Sequence, residues 1–351
     1  MHLIKKDGIN ISLDLHEELK NFEKTKQYTI PIFIPHKGCK NECVFCNQRK
    51  ISGQIVPPTT AEVDKTIKEY LTYFKDKKEK INIEVAFFGG SFSGLPINEQ
   101  IEYLEVAHKY VLDKSISGIR ISTRPDYIMP TELNILKKYG VTTIELGVQS
   151  MDDNVLNVCK RGHKSIDTIR ASKLITLWGF KLGHQIMIGL PKSNKNSEEY
   201  TIKQSLKLMP SELRIYPVYV LKESALYEKY LQGSYIPLGF NEAIERVLNV
   251  VKFCQKTNVK IIRLGLQSTD EITSSSKDIV GPVCDNFAEY VMAEIAREKM
   301  EKEILKRNIS ENRKVIFEIP GKYASIVAGP KKINKVFFES HYNIKIGVKE
   351  I

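Results

Sequence analysis

The chain has 351 residues, enough for one large α/β domain with an appendage or for two ordinary domains. At 42% hydrophobic and 27% charged residues it reads as globular, and no run approaches the ~18 apolar residues of a membrane span. Lysine and arginine number 53 against 42 aspartates and glutamates; the resulting +11 suits a polyanionic partner such as RNA, although a lysine-rich surface also serves solubility alone.

The first residues lack the apolar core of a signal peptide, so a cytoplasmic protein is expected. Six cysteines fit a reducing compartment: Cys39, Cys43 and Cys46 are clustered, and Cys159, Cys254 and Cys284 are scattered. Cys159 and Cys254 read as small core hydrophobes.

In chain order, residues 28–35 are rich in β-branched and aromatic side chains and predict a buried strand. The cysteines follow it with the spacing C-x3-C-x2-C. Three thiolates at that spacing can hold three irons of a [4Fe–4S] cluster and leave the fourth open. His36, three residues before Cys39, keeps a closed Cys3His zinc site in play. A helix is expected over 59–75, where Val63, Ile67, Tyr70, Leu71 and Phe74 share one face. A strand over 83–88 then ends at Gly89-Gly90.

Further alternation follows. Helices are expected around Ile101–Val111, over 131–139 and over 165–178, and strands over 118–123, 142–148 and 181–188. Ser197 could cap a helix to Met209, a strand runs over 213–220, a helix carries Ile244 to Val251, and a further strand spans 260–266. Repeated βα units imply parallel strands with right-handed crossovers. Six units before residue ~225 are too few for an eight-unit barrel, so an α/β fold with a partial (β/α)6 parallel barrel is expected. Sites in such folds lie at the C-terminal ends of the strands, where the cysteine loop, Gly89-Gly90, Arg124, Gln149 and Gly189 should converge.

Residues 269–278 read as a loop, and Asp285 or Asn286 could cap a helix to about Lys306. The last ~40 residues alternate and read as a small meander of strands carrying Lys331, Lys332, Lys335, Lys345 and Lys349. The expected division is an N-terminal extension over 1–27, a core domain over 28–270, and a C-terminal helix with a small antiparallel sheet over 271–351, an α+β appendage.

The cysteine loop, with Phe45 just before Cys46, resembles the signature of the radical S-adenosylmethionine (SAM) superfamily, and Phe87-Phe88-Gly89-Gly90-Ser91-Phe92 resembles its glycine-glycine motif. Ser122-Thr-Arg-Pro-Asp126, Ile144-Glu-Leu-Gly-Val-Gln-Ser150, Lys160-Arg-Gly-His163, Gly189-Leu-Pro191 and Leu213-Arg-Ile-Tyr-Pro217 recur in that order in the radical domain of the Elongator catalytic subunit and its bacterial relatives. The resemblance covers roughly residues 28–270, and oxygen-independent coproporphyrinogen oxidase is similar more distantly.

The resemblance implies a radical SAM enzyme. Its [4Fe–4S] cluster, on Cys39, Cys43 and Cys46, would bind S-adenosylmethionine at the open iron and cleave it to a 5′-deoxyadenosyl radical. It places Phe45, Gly89, Gly90, Ser91, Ser122, Gln149, Arg161 and Gln185 around that cofactor, the last four as groups for ribose and carboxylate. It implies a tRNA base or other RNA as substrate and an electron donor such as flavodoxin or ferredoxin. No membrane is involved.

Plainer readings stand beside these. Ser122 and Gln149 could cap strand ends, Arg161 could pair with Asp152 or Asp153, His163 and His184 could be structural, and Arg124-Pro-Asp126 could fix a turn. The substrate could be a peptide, a porphyrin or a small metabolite, and a zinc-binding RNA adaptor uses the same cysteines and charge. Three features depart from the family. Ser91 stands where many members have glutamate, Cys284 stands where a histidine is usual, and nothing after residue 270 has the pattern of an acetyltransferase domain.

Overall fold

The computed structural model describes residues 8–23, 27–35, 37–39, 43–47, 56–74, 81–266, 276 and 278–351. His36, residues 40–42 and most of the loop expected over 269–278 lie outside them. Two compact units divide the chain: one takes Lys24–Arg246 and Val259–Asp285, the other Met1–Glu23, Val247–Asn258 and Asn286–Ile351. Strands are numbered in chain order, and β1 (Ile9–Ser12) belongs to the second unit.

The first unit is built on β2 (Gln27–Ile34), β3 (Asn82–Gly89), β4 (Gly118–Thr123), β5 (Val141–Gln149), β6 (Lys181–Ile188), β7 (Glu212–Pro217) and β9 (Lys260–Leu264). They form one curled half-barrel sheet in the order β2-β3-β4-β5-β6-β7-β9, every neighbour parallel. The expected six-unit partial barrel is thus a seven-stranded one, with β9 as its far edge strand. Pro217 ends β7 because it has no N–H to extend the ladder. The chain re-enters strand conformation only at β8 (Val220–Leu221), which pairs antiparallel with β10 (Ile279–Val280).

Helices cover one face of this sheet. Thr59 caps the helix Thr60–Thr72 through a reciprocal bond with Glu62, and Val63 and Ile67 turn inward. Phe87 packs on Tyr103 of the helix Ile97–Leu112 with ring centroids 6.0 Å apart. The helix after β6 starts earlier than expected. Asn194 caps Lys195–Lys207, its side chain accepting from Ser197 N–H at 3.0 Å while the Ser197 hydroxyl accepts from Asn194 N–H. Ser197 therefore sits at the third helical position rather than at the cap.

The second unit corrects the expected antiparallel meander. Ala324–Ala328 and Ile333–Tyr342 are helices, leaving β11 (Lys314–Ile319) and β12 (Lys345–Glu350). Short apolar runs do not separate strand from helix, and Asn334 and Phe338 are buried at helical spacing. Parallel strands need a long crossover connection, and these two helices supply it. The sheet is accordingly parallel, in the order β1-β11-β12, and it draws its third strand from the N-terminal segment. Its inner face buries Ile11, Val315, Phe317 and Ile319. Among the described residues no helix is long and apolar enough to cross a membrane.

Candidate functional site

The loop after β2 is held from two sides at the C-terminal edge of the large sheet. On the β3 side, Gly90 N–H donates to Ile34 O at 2.8 Å and Ser91 N–H to Lys37 O at 3.2 Å. The approach is so close that a Cβ on Gly90 would lie 1.9 Å from Lys37 O, and one on Gly38 would lie 2.1 Å from Ser91 O. The two glycine segments thus admit each other's backbone. On the β5 side, Val44 N–H donates to Cys159 O at 3.1 Å and Leu226 N–H to Val44 O at 2.7 Å. Val44 is buried with Val155, Cys159, Leu190 and Leu226, and Phe45 packs against that cluster. Phe45 is therefore first of all an anchor of the loop.

These contacts set out the three cysteines, none of which is in a disulfide. The Cys39 thiol lies 3.4 Å from the buried Ser91 hydroxyl. Arg161 is buried and donates from Nη1 to Cys43 Sγ at 3.2 Å and from Nη2 to Gly147 O at 2.7 Å. Gly147 makes room for it, since a Cβ there would stand 3.1 Å from Arg161 Nη2. Arg161 thus binds the cysteine loop rather than Asp152 or Asp153. Asp152 instead caps the helix Asp153–Val158. Among the described residues no three His, Cys, Asp or Glu side chains converge as a metal site. The donor set, three cysteines outside any disulfide with a guanidinium beside one of them, has the chemistry of an iron–sulfur ligand loop.

Next to Arg161 lie further buried polar groups. Arg124 forms a two-pronged pair with Asp126, both contacts at 2.9 Å, and leaves Nη1 without a hydrogen-bond partner among the described residues. Among the described residues Arg161 Nε also lacks one, and neither ring nitrogen of His163 holds a well-aligned hydrogen bond. Burial, then the Arg161 charge, pushes the His163 pKa down to about 3. His184 is different. Its ring lies between the Ser172 and Ser205 hydroxyls at 2.9 and 2.8 Å, and burial pushes its pKa down to about 3. It is a satisfied structural histidine. Cys159 is a core thiol, pushed up to about 12 by burial.

The strand ends bring the remaining expected residues near this edge. Gln149 sits at φ +63, where β5 slips register against β6 between Gly147 and Gln149. A bulge of this kind re-aims a side chain, and left-handed backbone in a residue other than glycine costs energy. Gln185 Nε2 donates to Gln149 Oε1 at 3.3 Å. Ser122 donates to Glu145 Oε1 at 3.3 Å, so its hydroxyl is already tethered to the sheet.

A set of buried charges escaped the sequence reading. Arg120 contacts Glu84 at 3.1 Å, Glu212 at 2.7 Å and Glu145 at 3.6 Å, and Arg214 donates to Glu145 at 2.7 Å while lying over the Phe88 ring. These residues share the face opposite Phe87 and its helix. The signal was one or two charges per otherwise apolar strand, at alternate positions: Glu84, Arg120, Glu145, Glu212 and Arg214.

Residues 33–204 match the profile of the Radical SAM superfamily and residues 210–297 that of a Radical_SAM C-terminal domain. The tRNA uridine(34) acetyltransferase of Methanocaldococcus infernus is 29% identical over 275 residues, covering 67% of this chain and 49% of that protein. Human Elongator complex protein 3 is 30% identical over 197 residues, 48% of this chain and 35% of that protein. The chain spans about half the length of the tRNA uridine(34) acetyltransferases of the two Methanocaldococcus species. The solved archaeal Methanocaldococcus infernus Elp3 with an N-terminal deletion superposes with a TM-score of 0.60 at 23% identity, over 82% of this chain and 64% of that one, a likeness of fold.

Proposed function

This chain belongs to the radical SAM superfamily, and from that premise we propose that it is an RNA-modifying radical enzyme acting on a tRNA base in the cytosol. In this reading Cys39, Cys43 and Cys46 hold a [4Fe–4S] cluster, reduced by a donor such as flavodoxin or ferredoxin. When bound, the cluster supplies the electron that cleaves S-adenosylmethionine, the source of the hydrogen-abstracting species.

The observation that carries the reading is the double anchoring of the cysteine loop, by Gly90 against Lys37 and by Cys159 and Leu226 against Val44. A loop fixed on both sides is suited to holding its thiols for a cluster, and Gln149, Gln185 and Ser122 on the neighbouring strands are the groups proposed to meet the bound cofactor. Arg161 places a fixed positive charge beside Cys43, suited to a thiolate and to a cofactor carboxylate. The Gly89-Gly90-Ser91 turn offers backbone polar groups beside Cys39. The left-handed Gln149, braced by Gln185, is a strained amide suited to a ribose hydroxyl. The tRNA reading is supported by relatives that carry that substrate in their names and by the +11 charge.

Anaerobic reconstitution tests the first part. The expected result is a brown protein that releases 5′-deoxyadenosine from S-adenosylmethionine under dithionite. A colourless protein with one tightly held zinc refutes it. Mass spectrometry of tRNA nucleosides from cells lacking the protein tests the second part. One modified nucleoside should disappear, and an unchanged profile refutes the tRNA substrate.

A further inference from the structure

The positive charge of this chain is unevenly placed. Between Lys306 and Lys349 stand ten lysines and arginines against three glutamates, and all ten are exposed. Several are accounted for locally: Arg307 pairs with Glu303, Lys322 with Glu23 and Lys349 with Glu318. Lys306 ends a helix, where a cation complements the dipole. Arg313, Lys314 and Lys345 have no such account, and neither do Lys331, Lys332 and Lys335 in the helical crossover. No acidic partner within ion-pair distance is described for any of them.

Their placement is specific. In the parallel pair β11·β12, Lys314 is the register partner of Lys345. Farther along the same face, Glu318 is opposite Lys349 and the two form an ion pair at 2.8 Å. One end of this face is therefore neutralised and the other is not. Like charges held directly side by side on a sheet destabilise it. The backbone beneath them is rigid. Asn312 N–H donates to Asn343 O at 2.9 Å, Asn343 Nδ2 to Asn312 Oδ1 at 3.0 Å, and Lys345 N–H to Arg313 O at 2.9 Å. Both asparagines take left-handed backbone, at φ +60 and +52, to lead into the two strands. Between the cations and the ion pair the face carries Ile316 and Gly347, which leave it low and open.

We propose that this face of the second unit, with Lys314 and Lys345 at its un-neutralised end and Arg313 at the entry to β11 beside them, is the surface that grips the phosphodiester backbone of the RNA substrate. The inference rests on the tRNA reading above and deepens it. Two fixed cations side by side match successive phosphates, and a bound phosphate relieves the repulsion between them. The contact carries no base information, so it sets where the RNA lies and not which base is read.

The test is the salt dependence of tRNA binding to the full chain. Fluorescence anisotropy with a labelled tRNA transcript gives the slope of log K against log salt for the wild type and for Arg313→Gln/Lys314→Gln/Lys345→Gln. Loss of three phosphate contacts should flatten the slope by about 2 to 3, with binding of order a hundredfold weaker at ~0.1 M salt. The matched control is Lys68→Gln/Lys195→Gln/Lys203→Gln, which removes three lysines already paired with Asp64, Glu245 and Glu199 and should leave the slope unchanged. Thermal unfolding of the triple variant should match the wild type or exceed it, because a like-charge pair has been removed.

A wild type that binds tRNA with a steep slope, and a triple variant with the same slope, overturns the proposal and leaves the tRNA reading standing. A wild type that binds no tRNA overturns both. Binding of phosphatidylserine vesicles that the triple substitution abolishes, with the tRNA slope intact, assigns the face to a lipid surface and overturns the proposal.

Discussion

Gly90→Ala should disable the site before any cofactor is added. Gly90 is not among the glycines with positive φ, so alanine is permitted by the backbone and the perturbation is purely one of contact. The new methyl carbon would stand 1.9 Å from Lys37 O and 3.0 Å from Lys37 C. Ordinary contact is about 3.5 Å, so the chain two residues before Cys39 must move by roughly 1.5 Å. The atom in the way is backbone, and no flexible side chain can yield instead. The same carbonyl accepts the Ser91 N–H, and the Lys37 ammonium is fixed to Glu99 at 2.7 Å. A lost hydrogen bond of about 1 kcal/mol and overpacking strain of about 1–3 kcal/mol give roughly 2–4 kcal/mol, localised at the loop. That is below the ~5–15 kcal/mol stability of a typical domain, so the variant should fold. Iron per chain after anaerobic reconstitution, measured without S-adenosylmethionine, should fall several-fold while circular dichroism stays native. Gly239→Ala is the control, because nothing lies within 4 Å of its Cβ position. A Gly90→Ala protein that takes up wild-type iron and cleaves S-adenosylmethionine at the wild-type rate would refute the reasoning.

Other outcomes follow from the same geometry. Arg161→Lys should fail to restore S-adenosylmethionine cleavage lost in Arg161→Gln, because one ammonium does not reproduce the fork that spans Cys43 Sγ and Gly147 O; rescue within about twofold would contradict it. Glu145→Gln removes the charge facing Arg120 and Arg214 and should cost about 3–5 kcal/mol, read as a Tm lowered by roughly 10 °C; an unchanged Tm would refute the network's role. His163 and His184 are held neutral, each with a pKa near 3, whereas the unfolded chain protonates them near 6.5. The unfolded state then binds more protons below pH 6.5, so stability is full above that value and falls toward pH 3. The loss by pH 5 is about 2 kcal/mol for each histidine, and urea midpoints that stay level between pH 8 and pH 5 would exclude it.

The sequence was most legible where a physical signal repeats. β-Branched runs closed by glycine or proline gave the strands of the large sheet. The alternation of those strands with apolar helical stripes gave their parallel sense. The cysteine loop and Gly89-Gly90 could be placed at one edge because each follows a strand. The second unit was misread for a definite reason: Ala324–Ala328 and Ile333–Tyr342 are short and apolar, and such runs carry no periodicity that separates strand from helix. The N-terminal strand could not be assigned to the C-terminal sheet because no local pattern encodes a pairing between Ile9 and Val315. Arg161 was singled out by resemblance, but its donation to Cys43 depends on the empty space at Gly147, which only the folded chain displays.

The buried charges bear directly on the site above them. Two strands contribute a charge and then, two residues farther on, a second polar group nearer the strand end: Arg120 precedes Ser122, and Glu212 precedes Arg214. Period two keeps each series on one face of the sheet. A slip of one residue in any strand would turn its charge into the helix-facing core, so the charges penalise every odd slip of register. Buried ion pairs add little net stability compared with apolar packing, and a role in specifying register accounts for their presence better. Glu145 belongs to both levels, since it receives Arg214 Nε and the Ser122 hydroxyl while lying 3.6 Å from Arg120. The position of the Ser122 hydroxyl is thus set from below by Glu145, and in the proposed function that is the level at which a cofactor would be held.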